Sequence, residues 1–221
     1  MNSDTAGSIY VTTPTGFSSQ LDKLQDTLNN KRFFINPELE IFKYIDGLYT
    51  ATINQEDCFY RARVGDYKEV KDLHAAPKEK NHFGRFHPKG FSYLYAASEI
   101  KTAVAEVRPW QTIVTIAECK AKTELTLLDF TRRNEKLENS DMDYRTTLDN
   151  EFSKPINPNT SESDYLLTQI IAEYIKNKGI AGIKYSSSVN DDGYNIVVFD
   201  PKVFDIKIMK QVNVSKILYE F

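Results

Sequence analysis

The chain has 221 residues and a formal net charge of −3, with 28 Lys plus Arg against 31 Asp plus Glu. That length suits a domain of ordinary size that buries its core without metals or disulfides, and the slight acidity gives no global electrostatic reason to bind nucleic acid or an anionic membrane. The composition, 41% apolar and 27% charged, is that of a soluble globular protein.

No apolar run approaches the ~18 residues of a membrane span, and the N-terminus lacks a basic-then-apolar leader. The cytoplasm is therefore the default location. Cys58 and Cys119 lie far apart without CxxC spacing and read as free thiols in a reducing compartment.

Residues 1–16 are rich in Ser, Thr, Gly and Pro and read as a loose terminus. Ser18 or Ser19 is placed to cap a helix carrying Leu21, Leu24 and Leu28 at intervals of three and four. Pro37 sits where a first-turn proline belongs, ahead of an apolar stripe of Leu39, Phe42, Ile45 and Leu48. We read residues 1–54 as an N-terminal helical extension, and 55–221 as the main domain. Residues 58–64, CFYRARV, alternate as a strand, with Phe59, Arg61 and Arg63 on one face. Two arginines beside an aromatic fit either a solvated face or an anion site.

A polar loop over 66–91 gathers Lys78, Lys80, Arg85, Lys89, His82 and His87 around Gly84, Pro88 and Gly90. Loops of that length in a compact domain are more often functional than filler. Residues 91–97 predict a strand with Phe91, Tyr93, Tyr95 and Ala97 on one face. Ser98 is placed to cap a helix that runs to about Val107, stopped before Pro109. Glu106 lies on the flank of its buried stripe, and on periodicity alone is an ordinary surface glutamate.

Two β-rich runs, 111–120 and 124–130, predict a hairpin around 121–123. The polar stretch 131–163 reads as a solvated insertion or lid, part of it (143–152) helical, with disorder as the other reading. Ser163 or Asp164 is placed to cap a helix over 165–177 that Gly179 ends. Strands are predicted at 180–185 and 194–199, around an SSSVNDDG turn. Residues 204–210 and 214–221 supply a closing pair of strands. The irregular alternation, without GxGxxG or Walker A loop, fits an α+β domain with a mainly antiparallel, partly split sheet.

His74, His82 and His87 lack metal-site spacing. Cys58 opens an apolar strand and reads as a core residue. There is no GxSxG elbow for a serine nucleophile. What remains is Arg61, Arg63 and Arg85, the aromatics Tyr93 and Tyr95, Glu106, and the serines at 186–188. Guanidinium groups can hold a pyrophosphate, a tyrosine ring can stack on a heterocycle, and a carboxylate can bind a ribose hydroxyl and stabilise the cation left when a glycosidic bond breaks.

On these residues the chain resembles the RES-domain family, named for its Arg, Glu and Ser. The matching segments are FYRAR (59–63), GRFHPKGFSYLYAASEIKTAVAEVRPW (84–110) and TQIIAEYIKNKGIAGIKYSSSVNDDGYNIVVF (168–199). The resemblance implies a fold related to ADP-ribosyltransferase toxins of the diphtheria type, and NAD as substrate rather than cofactor, with cleavage of its nicotinamide–ribose bond. It places the family arginine on Arg61, with Arg63 close behind, the loop arginine on Arg85, and the strand tyrosine on Tyr95, with Tyr93 as its neighbour. The glutamate falls on Glu106, the serine on Ser187 (Ser186 and Ser188 blur the register), and the strand-opening Asn on Asn195. Glu106, Arg61 and Ser187 are the implied catalytic residues; the others bind substrate.

Where the family often shows Asn, this chain has His87. As a ligand-binding residue it would make binding pH-sensitive. The implied setting is a toxin that depletes NAD, using water or inorganic phosphate as acceptor, with a helix-turn-helix antitoxin or immunity protein covering the cleft. A homodimer is compatible with this reading. Protein ADP-ribosylation and a non-catalytic nucleotide-binding module are the alternatives.

Overall fold

The computed structural model describes residues 15–30, 40–110, 112–131, 139–154 and 161–215. In chain order the helices are α1 (Thr15–Asn30), α2 (Glu40–Asp46), α3 (Ile100–Glu106), α4 (Asn139–Ser153) and α5 (Leu166–Asn177). The strands are β1 (Thr50–Ile53), β2 (Cys58–Val64), β3 (Leu94–Ala97), β4 (Ile113–Ala121), β5 (Leu125–Asp129), β6 (Gly182–Ser186), β7 (Tyr194–Val198) and β8 (Phe204–Asn213). The fold is α+β, as the sequence predicts.

The eight strands of the described residues form one sheet in the order β1-β5-β6-β7-β3-β2-β4-β8. Only β5 and β6 run parallel, because the chain between them crosses over through α4 and α5. The sheet has a weak seam. β2 pairs with β4 along its whole length, Cys58–Lys120 to Val64–Val114, but with β3 only at Tyr60–Ala97. The split expected from the sequence lies here, between a half-sheet ending at β3 and a half-sheet starting at β2.

α1, α2, α4 and α5 share one core with the larger half-sheet. Leu21, Leu24 and Leu28 of α1 and Phe42 and Ile45 of α2 are buried in it, as their helical spacing requires. Tyr174 of α5 stacks on Phe42 at 4.2 Å, and its hydroxyl donates to Asp46. In its described part the N-terminal extension is thus continuous with the main core, and its last residues, β1, are a strand of the sheet.

Several local expectations are corrected. β4 and β5 are not a hairpin: β4 is taken on both edges by β2 and β8, so β5 pairs with β1 and β6 instead. The first of the closing strands, β8, runs on to Asn213 against β4; of the second, expected at 214–221, residues 216–221 lie outside the described residues. β3 begins at Leu94, three residues later than predicted. Ser98 does not cap α3: its Oγ accepts from Tyr194 N at 3.1 Å, and Glu99 takes the cap position. The capping box before α5 is built by Ser161 and Asp164 on a 3₁₀ turn rather than by Ser163. Gly179 does end α5, at φ 80°, a conformation an L side chain resists.

The polar stretch after β5 is no detached insertion over its helical part. Leu148 and Phe152 of α4 are fully buried, and Asp149 Oδ1 accepts from Ser186 N at 2.8 Å, fixing α4 to the end of β6. Arg145 and Lys184 converge on Asp129 at 3.4 and 3.0 Å. Deleting one member of such a largely buried set costs about 3–5 kcal/mol, since it strands the others. Nothing in the polarity of 131–163 signals this, because the anchoring groups are themselves polar.

Candidate functional site

Where β2 and β3 part, a cavity of about 280 Å³ opens. Its wall includes Arg61, Arg85, Tyr95, Glu106 and Asn195, five of the nine residues singled out from sequence. Each is placed by a different element.

Arg61 stands in the middle of β2, one residue past the last pair with β3. Its Nη1 donates to Tyr95 O at 2.8 Å, replacing a ladder bond that the diverging strands no longer make. Its Nε is buried and has no partner among the described residues. A buried donor left unsatisfied is costly. Burial, helped by the Arg63 charge, lowers the Arg61 pKa to about 10, still cationic at neutral pH. Arg63, two residues on, does not reach the cavity. It donates to Asp72 O at 2.5 Å and lies over the Tyr67 ring. The seam thus separates two arginines that alternation puts on one face.

Arg85 lies in a tight turn closed by Gly84 N to His87 O (2.8 Å) and His87 N to Gly84 O (3.3 Å). α5 holds that turn: Gln169 Nε2 donates to both Gly84 O and His87 O, and Thr168 Oγ1 donates to Arg85 O. The Arg85 guanidinium donates to Glu151 O and Lys154 O, at the negative C-terminal end of α4. One cation therefore ties the turn, α4 and the cavity together.

Tyr95 is the aromatic on the wall. Its hydroxyl accepts from Phe86 N at 3.3 Å, and its ring lies 6.2 Å from Phe86. Burial raises the phenol's pKa, so it stays protonated. Tyr93 is not on the wall. It packs into the core against Phe199 and His87. His87 is also behind the wall: it is 5% exposed, its Nδ1 donates to Pro88 O, and its ring packs edge-on against Tyr95. A Cβ on Gly84 would fall 2.7 Å from His87 Nε2, so only glycine lets the turn close over the ring. Tyr93 and His87, expected to bind substrate, are not among the residues that line the cavity; the His87 ring packs against Tyr95 and the Tyr93 ring against His87. Burial lowers the His87 pKa.

Glu106 is the last residue of α3 and points into the cavity. Ser187 Oγ (2.8 Å) and Asn195 Nδ2 (2.6 Å) both donate to its Oε1. Both bonds fall on the same oxygen, so the carboxylate is held through Oε1 on the wall of the cavity. Asn195 is fixed by pairing with Ala97 and Tyr185 in the sheet. Ser187 accepts from Val189 N while donating to Glu106, and it is buried. It is off the wall, which its neighbours Ser186 and Ser188 do line. Ser187 therefore positions the carboxylate and is not placed as a nucleophile.

A second tier holds that arrangement. Asn190 Nδ2 donates to Glu99 Oε1 (2.5 Å) and Thr102 Oγ1 (2.8 Å), binding the 187–193 turn to α3. Gly193 packs directly on Thr102 and Asn190, where a side chain would collide. Sequence reading missed these residues, and also Arg108 and Lys154 on the wall. The polar turn SSSVNDDG was the available signal, but turn chemistry explains it equally well.

A solved structure described as "Crystal structure of the M.tuberculosis MbcT-MbcA toxin-antitoxin complex" is similar at 15% identity, covering 79% of this chain and 92% of that one, with a TM-score of 0.43. No curated protein matches the sequence. The model of the RES domain matches residues 59–216, from Phe59 in β2 past the end of β8, and the chain belongs to the RES-domain family.

Proposed function

We propose that this protein consumes NAD by breaking its nicotinamide–ribose bond, passing the ADP-ribosyl group to water or inorganic phosphate, and that it acts as a toxin kept in check by a protein partner. The observation that carries the proposal is Glu106: a carboxylate held through one oxygen by Ser187 and Asn195, on the wall of a cavity that Arg61 and Arg85 also line. The glycosidic bond breaks with its electron pair leaving on neutral nicotinamide. The ribose ring takes up the positive charge, and Glu106 stabilises it as it develops. An oxygen lone pair of the acceptor then closes the new C–O bond, and the acceptor's proton passes to solvent. Because Glu106 is fixed before reaction, little reorganisation is needed in the transition state.

The arginines fit the other end of such a substrate. Guanidinium groups bind phosphate oxygens in paired hydrogen bonds, and the Tyr95 ring offers a surface for a flat heterocycle. The test is incubation with NAD in phosphate-containing and phosphate-free buffer, following nicotinamide release. Release with ADP-ribose, or a phosphorylated ADP-ribose, as co-product supports the proposal. No release at high protein concentration overturns it. Arrest of growth on expression in a host cell, with a fall in cellular NAD, supports the toxin role.

A further inference from the structure

α3 ends in an unusual way. Val107 is still right-handed, but Arg108 turns to φ 44°, and its N–H closes on Ala105 O at 3.0 Å. A left-handed residue after a helix is ordinarily glycine, because a Cβ there meets backbone oxygen. Arg108 is the sole non-glycine residue with positive φ among the described residues. The strained turn sits two residues after Glu106 and sets Arg108 on the same cavity wall. Strained residues of this kind gather at sites where a side chain must be aimed.

The charge of the wall points the same way. Arg61, Arg85, Arg108 and Lys154 line the cavity against Glu106 alone, in a chain whose net charge is −3. Three arginines and a lysine beside one glutamate on the wall suit a ligand with at least two negative charges. Arg61 and Arg85 are each tied to backbone carbonyls on the β3 and α4 sides. Arg108 supplies a cation from the α3 side, the side that carries Glu106.

We propose that Arg108 is a phosphate-recognition residue of this site, which holds the pyrophosphate of a dinucleotide substrate and fixes its distance from Glu106. The inference rests on the NAD reading above. Its test is binding of ADP-ribose, by calorimetry at two salt concentrations, to the wild type, Arg108→Gly and Arg108→Lys. Loss of one charge-assisted pair weakens binding roughly tenfold or more. Arg108→Gly is expected to show that loss, with a smaller salt dependence, while its unfolding temperature stays equal or rises because glycine relieves the turn. Arg108→Lys keeps the charge and is expected to fall between the two.

An Arg108→Gly variant that binds ADP-ribose within twofold of wild type overturns the assignment. If the wild type releases nicotinamide and Arg108→Gly still binds normally, Arg108 alone is misassigned. Failure of the wild type both to bind ADP-ribose and to release nicotinamide overturns the assignment and the NAD reading together.

Discussion

The two edges of β2 differ sharply. Against β4 it is zipped from end to end, while against β3 it keeps one residue pair and then parts. The zipped edge makes a core; the parted edge makes a cavity. Backbone groups freed at a split in a sheet must find other partners, and here the Arg61 side chain reaches across to Tyr95 O. The same residue thus closes the seam and lines the cavity, while its Nε is buried with no partner among the described residues. The cavity is formed by withholding pairing from one strand edge.

Substituting the two arginines of β2 breaks this contrast most strongly. Arg61→Ala leaves Tyr95 O without its donor beside an emptied pocket, and we expect a loss of about 1–3 kcal/mol in stability together with loss of nucleotide binding. Arg63→Ala removes a bond to Asp72 O on the far side of the seam, and should cost under about 1.5 kcal/mol with binding retained. Urea titration and ADP-ribose binding on the pair of variants check this; equal effects on binding would contradict the division drawn between the two edges.

The pair that holds Glu106 sharpens the comparison at the cavity itself. Ser187→Ala removes one of two donors to Oε1, so turnover should fall roughly tenfold, about 1.4 kcal/mol. Ser187→Ala with Asn195→Ala should fall by more than either alone. Were Ser187 a nucleophile, the single change would abolish turnover; single-turnover kinetics separate the two outcomes.

The smallest effect is expected from His87, which lies behind Tyr95. Burial holds its folded-state pKa below the ordinary 6.5. Its contribution to stability is therefore fully present above 6.5 and is lost as pH falls below that value through the folded pKa. Unfolding free energy measured from pH 7.5 to 5.5 should decline on the acid side, and His87→Gln should flatten that part of the curve. A pH response of ADP-ribose binding that His87→Gln abolishes without altering stability would instead put the imidazole in contact with the ligand.

How much of this was legible in the sequence depends on the range of the interaction that decides it. The leucines of α1, the stripe of α5 and the alternation of β2 are local patterns; α5 and β2 formed where the pattern placed them, while α1 starts earlier, at Thr15, with Ser18 and Ser19 inside the helix rather than at its cap. Arg61, Arg85, Tyr95, Glu106 and Asn195 were reached through the family's motifs, and the fold brings them to one cavity. Strand pairing is decided by competition between distant segments. Hence β4 and β5, adjacent in sequence and joined by a short turn, lie in different half-sheets. Tyr93 and His87 carry the right chemistry, but packing directs them away from the cavity. α4 was obscured by its polarity, because Arg145 and Asp149 are buried through pairing rather than by being apolar. Arg108 left only one trace, a proline after it at the end of a helix.

The account turns on Glu106, and one comparison tests it directly: nicotinamide release from NAD by the wild type and by Glu106→Gln, with thermal unfolding of both. The glutamine carbonyl can still accept from Ser187 and Asn195, so the fold and unfolding temperature should be preserved, while the negative charge facing the ribose is gone. Turnover should drop by at least about 10²–10³-fold, the loss typical of removing one preorganised electrostatic group. A Glu106→Gln protein that is folded and releases nicotinamide at the wild-type rate would contradict the central claim.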